Sequence, residues 1–221
     1  MTQSLFPQLD RVLRLLEKQH SRWKAPIAGT FATGPNAAFK VLISTVLSLR
    51  TKDATTEKAS ERLFVLAQTP EAMLRLSAAE IERTVYPVGF YRTKARSILE
   101  ICRILLEEYG GRVPDDLDRL LALPGVGRKT ANLVVTVGFG KPGICVDTHV
   151  HRISNRWGIV RTRTPEETEF ALRRKLPARY WIGFNDLLVA YGQNVCVPIS
   201  PKCNSCLIND LCPKKGVKKH R

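Results

Sequence analysis

The chain has 221 residues, enough for one large core or two modest ones, and its 44% hydrophobic content excludes an extended disordered chain. Its 35 Lys and Arg against 20 Asp and Glu leave a formal charge of +15, so an extended polyanion such as nucleic acid is the leading partner on physical grounds. A ribosomal or anionic-membrane surface would answer the same charge, but no apolar run reaches the roughly 20 residues that span a bilayer. Residues 1–10 lack the basic-then-apolar pattern of a secretory signal, and the expectation is a cytoplasmic protein.

Leu9, Val12, Leu13 and Leu16 fall at helical spacing and predict an opening amphipathic helix, which fades into the Pro- and Gly-containing segment 25–35. Asn36 is placed to cap the next helix. Its run from Phe39 to Ser48 is apolar almost all round and so belongs at the centre of a helical core. It ends in the basic turn Leu49-Arg50-Thr51-Lys52-Asp53. Further helices are predicted at 54–66, 71–76 and 78–85, the last stopping ahead of Pro87. Val88-Gly89-Phe90-Tyr91 then leads into a long amphipathic helix over 92–109, which Gly110-Gly111 closes.

Asp115 to Leu123 reads as a short helix with acids in its first turn, stopped by Pro124 and Gly125. A second, mostly buried helix starts at Gly127 and carries Ala131, Leu133, Val134, Val135 and Val137, which makes a helix-turn-helix hairpin with two glycines at its bend. The amides that open its second helix lack intrahelical partners and point outward with the positive end of the dipole, the layout for gripping a phosphate. Residues 138–143 form a crossover, Asp147 sits at the N-cap of a helix running to about Trp157, and two more helices are predicted at 165–175 and 179–191. No strand alternation is present, and the chain is expected to be all-α.

Six cysteines in a reducing compartment argue against a disulfide framework. Cys102 and Cys145 have apolar surroundings and read as core residues. Cys196, Cys203, Cys206 and Cys212 crowd into the loop 196–212 with C-x6-C-x2-C-x5-C spacing, and four soft ligands suit either zinc or an iron–sulfur cluster.

Taken in order, Leu123-Pro124-Gly125-Val126-Gly127 with Lys129, then Val146-Asp147-Thr148-His149, then the four cysteines, resemble the endonuclease III family of helix-hairpin-helix base-excision DNA glycosylases. The likeness runs from about Phe39 to Pro213. It implies a two-lobed fold. A helical-barrel domain over 30–140 would carry the hairpin (about 115–137), and a discontinuous domain of 1–29 plus 141–221 would hold a 4Fe-4S cluster on the four cysteines. It implies a monomer acting on damaged double-stranded DNA. The hairpin residues Gly125, Val126, Gly127, Arg128 and Thr130 would meet the phosphate backbone. Carbonyls near Leu121, Leu123 and Val126 would be able to hold a cation. Where the family shows Leu-Ser-x-Gln-Thr-x-Asp this chain has Arg50, and with Lys52 and Asp53 that loop would fill the gap left by an everted nucleotide. Phe90 stands where the family usually has Leu, as a second wedge.

By the same resemblance Lys129 is the nucleophile of a bifunctional glycosylase and abasic-site lyase, with Asp147 supporting charge on the sugar and assisting proton transfers. The expected substrates are oxidised pyrimidines. The chemistry needs a neutral amine, and a helix dipole worth about 0.3–1 kcal/mol is too weak to free it alone. Desolvation under bound DNA and positive charge from Arg128 and Lys52 would supply the rest. Two alternatives stay open: a monofunctional mismatch glycosylase, and a hairpin protein that binds DNA without catalysis.

Overall fold

The computed structural model describes residues 6–23 and 27–221, and every regular element among them is helical. Segment 25–35 therefore begins outside the described residues. Packing divides the chain into two compact units, one of residues Ile27–Gly143 and one joining Met1–Pro26 to Ile144–Arg221. No described helix is long and apolar enough to cross a membrane.

The first helix, α1 (Leu9–His20), belongs to the discontinuous unit and buries Leu9, Val12, Leu13 and Leu16 at the predicted spacing. The intervening unit is built around α2 (Ala37–Ser48), whose residues Phe39 and Val41 to Leu47 are all buried. Such a helix has no polar face to give to water, and neighbours therefore surround it. It packs against α3 (Asp53–Leu66) and later elements of the same unit. α4 (Pro70–Leu74) starts with proline at its first turn and with Thr69 accepting the Ala72 amide at 3.2 Å, and α5 (Ala78–Val85) starts on a Ser77–Glu80 capping box. Both lie along α6 (Tyr91–Tyr109), which Gly110 closes in the left-handed region. α7 (Leu117–Leu121) is capped by Asp116, and α8 (Arg128–Leu133) completes the unit by packing on α2.

Two expectations are corrected locally. Asn36 has φ 58, so its side chain makes no cap bond, and its carbonyl instead accepts the Lys40 amide at 3.0 Å. The second hairpin helix is not α-helical to Val137. Val134–Gly138 form a π-helical turn, where the Thr136 hydroxyl donates to the Asn132 carbonyl at 2.8 Å and competes for the acceptor that an ordinary helical amide would use.

The discontinuous unit adds α9 (Thr148–Arg156), α10 (Pro165–Lys175) and α11 (Trp181–Asn194) to α1, over a core that includes Leu16, Ile153, Trp157, Leu172 and Leu188. α9 and α11 approach closely at Gly192, where a Cβ would stand 2.5 Å from His149 Nδ1 and 3.0 Å from Arg152 Nη2. Cys102 and Cys145 are buried core thiols as read from the sequence, and burial pushes Cys102 up to about 12, which keeps it unreactive.

Candidate active site

The hairpin bend is made by Gly125 at φ +74 and a short turn in which the Val126 amide donates to the Leu123 carbonyl at 3.1 Å. Only glycine takes that φ without a Cβ penalty. Gly127 is different: its φ is −94 and a Cβ there would meet no atom of the described residues within 4 Å, so none of them demands glycine. An exposed, bare backbone ahead of α8 leaves room for something outside the chain to come close. Arg128 and Lys129 follow half-buried on the first turn. Val126 and Thr130 are buried, and of these two predicted contact residues only the backbone can reach a ligand, because the side chains are packed into the core.

Asp147 caps α9 as its position predicts, with Oδ1 accepting the amides of His149 and Val150, both at 2.9 Å. Both bonds go to one oxygen, Oδ1, of this half-buried carboxylate. Lys129 and Asp147 lie in different units, 27–143 and 144–221 respectively.

Arg50 and Phe90, 40 positions apart, are brought side by side. Both are exposed and both have left-handed backbones, φ 53 and φ 58, and the Arg50 guanidinium sits 5.7 Å from the centre of the Phe90 ring. Left-handed non-glycine residues are uncommon and cluster where the surrounding structure over-determines them. Lys52 is exposed at the N-cap of α3 and Asp53 is its first residue, half-buried.

Sequence reasoning missed the residue beneath this tip. Lys94 is 7% exposed, and its Nζ donates to the Leu47 carbonyl at 2.8 Å, the Leu49 carbonyl at 2.5 Å and the Thr51 hydroxyl at 3.2 Å. Burial pulls it down to about 8. A lysine in the first turns of an amphipathic helix reads as solvated, and only the meeting of α6 with the end of α2 buries it.

In the other unit, Cys196, Cys203, Cys206 and Cys212 line one small pocket together with Tyr191, Arg156 and Lys214. Arg156 Nη1 donates to Cys196 Sγ at 3.3 Å, and Tyr191 Oη lies 3.1 Å from Cys206 Sγ. Burial and the neighbouring sulfurs push Cys203 and Cys212 up, Cys212 to about 11. Among the described residues no three His, Cys, Asp or Glu side chains converge to hold one metal ion.

Arg152 and Arg156, successive turns of α9, tie the helix capped by Asp147 to this loop. Arg152 Nη2 donates to the carbonyls of Gly192 at 3.2 Å and Cys196 at 2.9 Å, and Arg156 donates to those of Val197 at 2.8 Å and Pro198 at 2.7 Å. Their i, i+4 spacing was visible in the sequence, but their target was not.

Residues 43–178 match the family described as HhH-GPD superfamily base excision DNA repair protein. The chain is 54% identical to endonuclease III of Thermotoga maritima over 174 residues, which is 79% of this chain and 82% of that one. It is 40% identical to endonuclease III of Escherichia coli strain K12 over 180 residues, covering 81% and 85%. Among solved structures it resembles a trapped endonuclease III–DNA covalent intermediate, an estranged-adenine complex, with TM-score 0.82 and 37% identity over 93% of this chain and 94% of that one.

Proposed function

The chain belongs to the endonuclease III family of the HhH-GPD base excision DNA repair superfamily, and on that footing we propose that it is a bifunctional DNA glycosylase and abasic-site lyase acting on damaged double-stranded DNA. A lesion inside a duplex must be everted before its anomeric carbon is accessible. The Lys129 amine then attacks that carbon, the glycosidic bond breaks with its electron pair on the departing base, and the sugar ring opens to an imine on Lys129. The imine acidifies the 2′ proton. Its removal expels the 3′ phosphate and cleaves the strand on that side of the site.

One observation carries this reading: Lys129 stands on the first turn of α8, two residues after an exposed glycine with open space where its Cβ would lie among the described residues. Phosphate accepting hydrogen bonds from the amides of Gly125 to Thr130, and attracted by the charge of Arg128, would hold the sugar within the amine's reach. The Leu121, Leu123 and Val126 carbonyls are the place for a bridging cation. Asp147, through the oxygen that does not cap α9, would support positive charge on the sugar and shuttle protons about the amine. Arg50, Lys52, Asp53 and Phe90 would occupy the space the everted nucleotide leaves. The donor set of Cys196, Cys203, Cys206 and Cys212 is the place for a 4Fe-4S cluster, whose contribution would be to shape the C-terminal loop. Oxidised pyrimidines are the lesion class the family implies, met on chromosomal DNA in the cytoplasm.

Borohydride trapping tests the proposal. The protein should form a covalent adduct with an abasic duplex and release base from an oxidised-pyrimidine duplex, and Lys129→Ala should form no adduct. An adduct that survives Lys129→Ala removes the lysine assignment. Base release without any adduct would instead support a monofunctional glycosylase.

A further inference from the structure

The Arg50 and Phe90 tips come from loops that meet through backbone. A Cβ on Gly89 would lie 2.7 Å from the Arg50 carbonyl oxygen, and the Gly89 amide donates to the Thr51 hydroxyl at 3.1 Å. That hydroxyl also donates to the Leu49 carbonyl at 3.3 Å and accepts from Lys94 Nζ. Lys94 is thus bonded to both sides of the first loop and, through Thr51, to the second.

We propose that Lys94 is a positioning residue for nucleotide eversion: its buried ammonium, with Thr51, locks the two loops into one preassembled wedge, so that Arg50 and Phe90 enter the duplex as a stacked pair. The proposal rests on the reading that these two side chains insert into DNA, and adds how they are held.

Chemistry favours an anchoring role over a filling one. The neighbouring positions on the inward face of α6 are Ala95, Ile98, Ile101 and Cys102, and an aliphatic side chain would fill the volume without the cost of desolvating a charge. Each of the three ammonium protons has an acceptor, two of them carbonyls at the end of α2, where unpaired carbonyls and the negative end of the helix dipole gather. A left-handed residue costs about 1–3 kcal/mol to hold. Two of them at one exposed tip need support from below, and Lys94 and Thr51 supply it at the Leu49 carbonyl just before Arg50 and, through the Thr51 hydroxyl, at the Gly89 amide just before Phe90.

The experiment uses the full-length protein with its metal group and two substrates. One is an abasic site in an intact duplex; the other is the same duplex lacking the facing nucleotide, so that no orphaned base must be displaced. Lys94→Met keeps the stem and removes the donors, and Thr51→Val keeps the shape and cuts the link to Gly89. Both should slow single-turnover cleavage of the intact duplex by about tenfold or more, the scale at which small misplacements act. They should also lower the fluorescence rise of a 2-aminopurine beside the lesion, while the gapped duplex is cleaved near the parent rate. Equal slowing on both substrates, or no slowing on the intact one, overturns the proposal. Should Lys94→Met fail to fold, Thr51→Val decides alone. Arg50→Ala separates the two layers. If it too leaves the intact duplex unaffected, the insertion reading falls; if it slows cleavage while Lys94→Met and Thr51→Val do not, only the anchor falls.

Discussion

Asp147 caps α9 with one carboxylate oxygen, which holds the amides of His149 and Val150, and the proposed chemistry would fall to the other. Asn caps helices about as well as Asp, so Asp147→Asn separates the two duties. Its unfolding midpoint in urea should stay near the parent's, a difference under about 1 kcal/mol, while single-turnover base release should fall about 10²–10⁴-fold, the usual span for a lost acid–base group. Parallel losses in both would make the residue a cap and nothing more. The cap was legible in the sequence because Asp-Thr-His at the head of an amphipathic run is a local pattern. Lys94 was not legible. Its role depends on the carbonyls of Leu47 and Leu49, which are distant in sequence and polar only because α2 ends there.

The hairpin shows the same limit at the level of elements. Its two helices, the acidic capped start of the first and the break at Pro124-Gly125 could all be read from residue types, since each is decided within a turn or two of chain. The π-helical turn at Val134–Gly138 could not, because Thr136 is unremarkable in a helix until its hydroxyl takes the Asn132 carbonyl, and because Gly138 must lie against Ala38, where a Cβ would stand 3.1 Å from the backbone. The two bend glycines, alike in sequence, are unlike in the structure and predict opposite phenotypes. Gly125→Ala forces a side chain to φ +74 and should cost about 1–2 kcal/mol of stability. Gly127→Ala, at φ −94 and with open space around it, should leave stability within about 0.5 kcal/mol. It should nevertheless weaken binding to an abasic-analogue duplex by about tenfold, since the added methyl stands where a phosphate would approach. Urea denaturation and fluorescence anisotropy give the two readings. Unimpaired binding by Gly127→Ala would mean that no phosphate comes so near.

At the scale of the molecule, the net charge of +15 pointed to nucleic acid, and the cysteine spacing pointed to a metal group, but neither showed what the group supports. The structure ties the cysteine loop to α9 through Arg152 and Arg156, and Lys215 joins it by donating its amide to the Arg156 carbonyl at 2.9 Å. If a cluster fills the pocket, its loss leaves four thiols with no centre to close round, Cys203 and Cys212 with burial-raised proton affinity, and the arginine donors lose fixed acceptors. The consequence should be local, because residues 27–143 form a compact unit with a hydrophobic core of their own. Cys203→Ala, or iron removal by a chelator, should therefore speed amide hydrogen exchange within 144–221, above all in α9 and the loop after α11, while the slowest amides of α2 and α6 keep their protection. Activity should fall with α9, since Asp147 heads that helix. Uniform loosening of both units would show that they fold as one, and unchanged exchange in α9 would show that the cysteine loop does not brace it.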